Sequence, residues 1–282
     1  MSTRRPELIC EKNLSYAWGR AFLHVFDRTS RNLCPLSISV TGFTNGVPAE
    51  VPELRQALDS SLEESGKFSC AIAAATIFPF RQCRHVTSLP RDRLYSWYLT
   101  ALLPRLKKRC PANRYGTYFE RMIAFQGVKK KNGKEIIKSV NQLEHIIFDW
   151  NRKRNHPKRP RQSALQVACF DPAKDHTGQS ARGFPCLQQV SFAYDDEGGM
   201  AVNAYYPTQY IYARAYGNYL GLCQLGRFMA HAMGLTLVRF SCFVGHSELD
   251  ANKCDVRALA DTVRQILMKK AAEDHGTEVP NE

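Results

Sequence analysis

No apolar run in this 282-residue sequence approaches the ~20 residues that a membrane-spanning helix needs, so no transmembrane segment is expected. The opening MSTRRPELICEKN has no apolar stretch after its arginines, which argues against a secretory signal peptide. Ten cysteines are scattered along the chain without a CxxC pair, which excludes a zinc ribbon. Free thiols in a reducing, cytoplasmic compartment are the expectation. Neither a P-loop nor a Rossmann glycine fingerprint is present, and no spacing of His, Cys and Asp argues for a metal. Internal repeats and linkers are also missing, which points to one domain over residues 1–282, with flexible ends at 1–14 and 273–282. Acidic residues are few: 26 Asp and Glu stand against 39 Lys and Arg, a formal net charge of +13.

What is present reads as a globular chain. Apolar residues make up 44% and charged residues 23%, too apolar for disorder and long enough for a sizeable core. The positive balance implies an anionic partner such as a nucleotide or nucleic acid, against the plainer reading of a solvated basic surface.

Apolar residues dominate from Ala17 to Phe26 and from Leu33 to Val40. Pro52 opens a predicted helix, and Cys70 to Phe80 reads as buried. Arg91 to Lys108 shows helical spacing, with Leu94, Trp97, Tyr98 and Ala101 on one face and Pro104 as an interruption. Asn132-Gly133 signals a hairpin. A helix over Asn141 to Asn151 runs into NRKRNHPKRPR, where six of eleven residues are Lys or Arg. Strands are expected within Ser163–Phe170, Val190–Tyr194, Met200–Tyr206 and Leu235–Val244. Helices are expected over Tyr219–Met233, capped by Gly234, and over Val256–Ala272. The fold class is α+β.

Pro185-Cys186 lies between two predicted strands. A thiolate there can add to an electrophilic carbon if a cation or donor lowers its pKa from the usual ~8.5. The landmarks around it fall in a definite order. They are Tyr115-Gly116-Thr117-Tyr118-Phe119-Glu120-Arg121, the NGKEI hairpin, the helix from Asn141-Gln142-Leu143, NHPKRPR, Pro185-Cys186, a hairpin, Gly217-Asn218, a helix ending HAMGL, and Val244-Gly245-His246. Over residues 113–265 this order resembles the thymidylate synthase and pyrimidine hydroxymethylase superfamily.

The resemblance implies a central mixed sheet flanked by helices and packed against its twin in a homodimer. It implies that Cys186 adds to C6 of a pyrimidine nucleotide or related ring, activating C5 for methyl or hydroxymethyl transfer from 5,10-methylenetetrahydrofolate. Asn218 would hydrogen-bond the ring edge, leaning towards a uracil-type base, and Tyr115 would stand near the reacting ring. Arg161 matches an arginine given across the dimer to the partner's phosphate, and Thr208 replaces a serine of the phosphate site. His246 is a candidate general base. Arg182 and Arg214 are candidate anion contacts. Each has a plainer reading: a buried thiol for Cys186, a helix N-cap for Asn218, and core packing or a surface ion pair for Tyr115 and Arg121.

The chain also departs from the pattern. Pro160 and Pro207 stand where the family places phosphate-binding arginines, and Tyr210 where it places a folate-assisting aspartate. The catalytic glutamate has no clear counterpart beyond Glu53, Glu63 and Glu64, and a folate-closing segment after the last helix is not recognised. The alternative expectation is therefore an idle protein of the same fold that holds a nucleotide or nucleic acid on its basic surface.

Overall fold

The computed structural model describes residues 6–29, 33–80, 90–109, 111–131, 134–154, 156, 159–176, 178 and 186–276. Its centre is a six-stranded mixed sheet. The strands are β1 (Glu7–Glu11), β2 (Leu36–Val40), β7 (Gln166–Ala168), β8 (Gln189–Tyr194), β9 (Gly199–Tyr210) and β10 (Thr236–Glu248), in the spatial order β1-β2-β10-β9-β8-β7. β1 runs parallel to β2 and β10 parallel to β9, while the other neighbours are antiparallel. Two small ribbons complete the strands: β3 (Phe43–Thr44) with β4 (Val47–Pro48), and β5 (Phe125–Lys131) with β6 (Lys134–Val140). The second is the expected hairpin; its turn residues Asn132 and Gly133 lie outside the described residues.

The helices are α1 (Leu14–Asp27), α2 (Pro52–Glu64), α3 (Cys70–Ala75), α4 (Arg91–Trp97), α5 (Leu103–Arg109), α6 (Tyr118–Ile123), α7 (Gln142–Lys153), α8 (Pro172–Asp175), α9 (Tyr216–Met233) and α10 (Arg257–Gly276). Period-two alternation decides which sheet face they cover. Ile9, Leu36, Ile38, Val190, Phe192, Val202, Tyr206, Phe240, Cys242 and Val244 are buried, while Leu8, Tyr205 and Phe243 on the opposite face stay exposed. The covered face carries the core.

Several sequence expectations change in the structure. Residues 7–11 are not part of a loose arm. They form the edge strand β1, because Ile9 enters the core and Glu11 is tied to Arg20 and Lys270. At the other end, α10 extends through residues 273–276, leaving 277–282 outside the described residues. The α4–α5 stretch widens into a π-turn at Tyr98–Leu102, just before Pro104. A proline has no N–H to give and crowds the carbonyl four residues back. The register change buries Leu94, Tyr95 and Tyr98 and leaves Trp97 at the surface.

A second π-turn, Ile211–Ala215, leads into α9, which starts three residues before the expected Tyr219. Gly234 caps it in the left-handed region, as expected, at φ 71°. β9 runs four residues past Tyr206, through Pro207. β10 likewise runs past Val244 to Glu248. Pro207 is tolerated because the β8 ladder ends at Gln189↔Tyr205, before its missing N–H would be needed.

Candidate active site at the ends of strands β9 and β10

The parallel ladder of β9 and β10 pairs Thr208 with His246 and Tyr210 with Glu248. Gly245 permits the close approach: a Cβ there would meet Pro207 O at 2.9 Å. From the other side, Gln188 N donates to Tyr205 O at 3.0 Å. Continuing that antiparallel register brings Cys186 about level with Thr208. Three chain segments thus bring Cys186, Thr208, His246 and Glu248 to one end of the sheet, and Arg214 joins them from the π-turn after β9.

Cys186 is exposed as a residue, yet enough of the fold crowds its Sγ for burial to push the thiol above its ordinary range. The Glu248 carboxylate pushes the same way. A Tyr118 hydrogen bond and the Arg214 guanidinium pull it down. Tyr118 owes its place to a rigid helix start. Thr117 Oγ1 accepts from Glu120 N while the Glu120 carboxylate accepts from Thr117 N, both at 3.2 Å, a capping box. Tyr98 OH locks Thr117 Oγ1 at 2.6 Å. The Tyr118 hydroxyl, held neutral by burial, accepts from Leu187 N at 3.5 Å and faces the thiol.

His246 Nδ1 accepts from the backbone N–H of Cys34 at 3.2 Å, and its Nε2 lies 3.6 Å from Glu248 Oε1. Arg214 stands 5.7 Å from the Phe68 ring centroid. Asp250 anchors the π-turn by accepting from Tyr212 N and Ala213 N at 3.1 and 3.2 Å.

Asn218 is not the N-cap of α9. It lies in the third helical position, 5% exposed, and makes no side-chain hydrogen bond among the described residues. That removes the plainer reading offered for it. Close by, Tyr219 OH donates to Gln209 Oε1 at 2.7 Å. Among the described residues, Tyr206 OH and Gln209 Nε2 are the buried side-chain polar atoms without a partner.

Other candidates are not gathered here. Tyr115 is 42% exposed, with the Arg114 guanidinium 5.0 Å from its ring centroid; the phenol that reaches Cys186 is Tyr118, three residues on. Arg121 makes a buried rather than a surface ion pair, its two nitrogens bonding Asp175 at 2.5 and 2.8 Å and Cys169 O at 2.8 Å. Arg182 lies outside the described residues. Glu53, Glu63 and Glu64 ride on α2, which packs against α10. The carboxylate acting on the thiol is Glu248. Arg161 sits at the far end of β8, where Tyr194 OH donates to Pro160 O at 2.9 Å. The strand alone separates that end from the Cys186 end by about 17 Å. There Arg161 lines a cleft of about 570 Å³ with Arg152, Lys153, His156, Arg159 and Asp149.

Sequence order missed Tyr118 because the family motif drew attention to the first tyrosine of YGTY. It did not set Glu248 beside the thiol because the strand carrying it was expected to end at Val244.

Among the described residues, no three His, Cys, Asp or Glu side chains come together as a metal centre, and no helix is long and apolar enough to cross a membrane. The folate site that the resemblance implies is altered at one described position. The position expected to hold a carboxylate carries Tyr210, whose ring is exposed and paired across the ladder with Glu248. No protein-family model matches the chain, and a search of curated proteins returns no match.

Proposed function

We propose that this chain is a thymidylate-synthase-like enzyme that uses Cys186 to attack a pyrimidine ring and transfers a one-carbon group to C5. The observation that carries the reading is the placement of the Cys186 thiol at the end of the mixed sheet, where the Tyr118 hydroxyl and the Arg214 guanidinium favour its thiolate against burial and the Glu248 carboxylate, with the net pKa above the ordinary range. In the proposed step the Cys186 thiolate bonds to C6, and the C5–C6 π pair moves towards C5 and O4. C5 then bonds to the carbon of an electrophilic one-carbon donor, whose carbon–heteroatom bonding pair moves onto the heteroatom; the C5 proton passes to water, and elimination re-forms the C5–C6 double bond and frees the thiolate. Tyr118 and Arg214 stabilise the thiolate before attack and after elimination, and Asn218 offers its free amide to the ring edge.

A homodimer belongs to this reading. The sheet face opposite the core exposes Leu8 (71%) and Phe243 (46%), with Phe243 stacked on Tyr205 at 5.9 Å. Pairing such faces would let Arg161 serve a partner's site, since it lies far from Cys186 in its own chain.

The test is covalent trapping. A series of 5-fluoropyrimidines (base, nucleoside, monophosphate) is incubated with the protein and followed by intact-protein mass spectrometry. The expected result is one added mass that maps to Cys186 and is absent from Cys186→Ser. A folded protein that gives no adduct overturns the enzyme reading.

The basic cleft favours a second reading, an idle binder of nucleotides or nucleic acid. Arg152 and Lys153 share Asp149 at 2.9 and 3.0 Å, Arg159 pairs with Asp196 at 3.0 Å, and Arg161 forms no ion pair among the described residues. Under this reading Cys186→Ser leaves affinity intact, and affinity for an oligonucleotide falls steeply with salt.

A further inference from the structure

The β5–β6 ribbon is a sheet of its own, separate from the six-stranded one. Its register pairs Phe125 with Val140, Gly127 with Lys138, Lys129 with Ile136 and Lys131 with Lys134. Alternate residues of a strand share a face, so these pairs make up one face of the ribbon. It carries Lys129, Lys131, Lys134 and Lys138 and no carboxylate. The other face takes Gln126 with Ser139, Val128 with Ile137 and Lys130 with Glu135. There one cation stands opposite one anion, the pairing that favours a cross-strand contact. Lysines that only kept a hairpin soluble would be spread over both faces. Here the period of two gathers four of the ribbon's five lysines on one.

The carboxylates on the two helices that flank the ribbon in the chain are all paired. On α6, which leads into β5, Glu120 Oε1 accepts from Lys107 Nζ at 2.9 Å. On α7, which follows β6, Glu144 accepts from Arg91 at 3.0 and 2.7 Å, and Asp149 is shared by Arg152 and Lys153. Lys107 ties α5 to α6, and on α5 Arg105, Lys108 and Arg109 are exposed. Lys138 on the ribbon is exposed as well. The surroundings of the ribbon therefore keep the sign of its lysine face.

Cations gathered on one face of a narrow ribbon match a polyanion with closely spaced charges. Lys129 and Lys131 are two residues apart, about 7 Å along the strand, and duplex DNA carries one charge per ~1.7 Å of its axis. Its major groove, ~12 Å wide, admits a two-stranded ribbon, whereas that of double-stranded RNA is too deep and narrow. Proteins that hold a single strand stack its bases on aromatic rings, and residues 126–140 contain no aromatic. Lysine is a point charge on a flexible stem, suited to phosphates rather than to base edges. We propose that the lysine face of the β5–β6 ribbon docks duplex DNA through its phosphates, without sequence preference. The proposal depends neither on the chemistry of Cys186 nor on the cleft around Arg161.

The test is the salt dependence of binding by the full-length protein. Fluorescence anisotropy follows short labelled duplexes of two unrelated sequences, a single strand and a double-stranded RNA, between ~50 and ~200 mM salt. Both DNA duplexes are expected to bind alike, and to lose affinity about 100-fold or more across that range. Changing Lys129, Lys131, Lys134 and Lys138 together to Gln is expected to lower the slope of log affinity against log salt by about 3.6, at ~0.9 per phosphate contact. Lys130→Gln, on the other face, leaves the slope unchanged, and so does Cys186→Ser. Circular dichroism confirms that each variant is folded.

The proposal is overturned if the duplex does not bind at ~50 mM salt, or if the four-lysine variant keeps the wild-type slope. It is also overturned if Lys130→Gln costs as much as any one of the four, since the face would then not matter. Tighter binding of the single strand or of double-stranded RNA removes duplex DNA as the occupant. A slope lost in Arg152→Gln/Arg161→Gln and kept in the four-lysine variant places the polyanion in the cleft instead of on the ribbon.

Discussion

Cys186 sits between opposing influences, and its reactivity reports their balance. Burial and Glu248 raise its pKa, while Tyr118 and Arg214 lower it. Its alkylation by iodoacetamide is therefore expected to reach half-maximal rate at a pH above the ordinary ~8.5 of a free thiol. Tyr118→Phe and Arg214→Gln should move that midpoint higher, because each removes a group that favours the thiolate. Glu248→Gln should move it lower. Peptide mapping separates Cys186 from the other thiols, including Cys10 and Cys254, which are the other exposed ones among the described residues. A midpoint below 8.5 would mean that the described neighbours do not govern the thiol. Deeper in the same region, the Tyr206 hydroxyl is buried without a partner among the described residues. An unsatisfied buried hydroxyl costs about 1–3 kcal/mol, so Tyr206→Phe is expected to raise the melting temperature. A fall would show that the hydroxyl has a partner in solution.

Helix α9 and strands β9 and β10 hold the site through close backbone contacts. A Cβ at Gly217 would lie 2.5 Å from Ala73 Cβ and 2.7 Å from Cys70 O, so this glycine lets α9 touch α3. Gly217→Ala is expected to push the two helices apart at about 1–3 kcal/mol, the usual range for overpacking. It should also displace the adjacent Asn218. Denaturant unfolding measures the first effect and pyrimidine affinity the second. Other ties are side-chain bonds to backbone. Gln142 Nε2 donates to Arg121 O and Ala168 O at 3.0 and 2.9 Å, and Gln142 Oε1 accepts from Ala168 N at 2.9 Å, joining α6, α7 and β7. Trp150 Nε1 donates to Met233 O at 2.7 Å and ties α7 to the end of α9.

The whole molecule has one sheet face covered by helices and an opposite face that presents Leu8, Tyr205, Val238 and Phe243. Exposed apolar side chains on a flat sheet face are a surface for association. Phe243→Asp is expected to convert a dimer to a monomer in light scattering after size exclusion, while the circular dichroism spectrum is unchanged. A wild-type protein that is monomeric at high concentration would remove the dimer from the proposed function. It would also leave Arg161 without a route to any Cys186 site, because the length of β8 separates the two within a chain.

Much of the fold was legible from local pattern. The helices over 91–108 and 141–151, the two hairpins, the Gly234 cap and the α+β class all follow from periodicity and turn chemistry, which act within a few residues. The candidate nucleophile was legible through the order of short motifs around it. Tyr118 and Glu248 were not legible as its neighbours. They lie 68 residues before and 62 residues after Cys186 in the chain, and their approach depends on a capping box and on β10 continuing past Gly245. The Asn218 N-cap reading failed for a related reason: a π-turn moved the start of α9 upstream, which local residue preference does not reveal. The sequence by itself determined the element types, the basic charge and the thiol; only the tertiary structure decided which charges face that thiol, because strand register and helix start set positions that no local preference encodes.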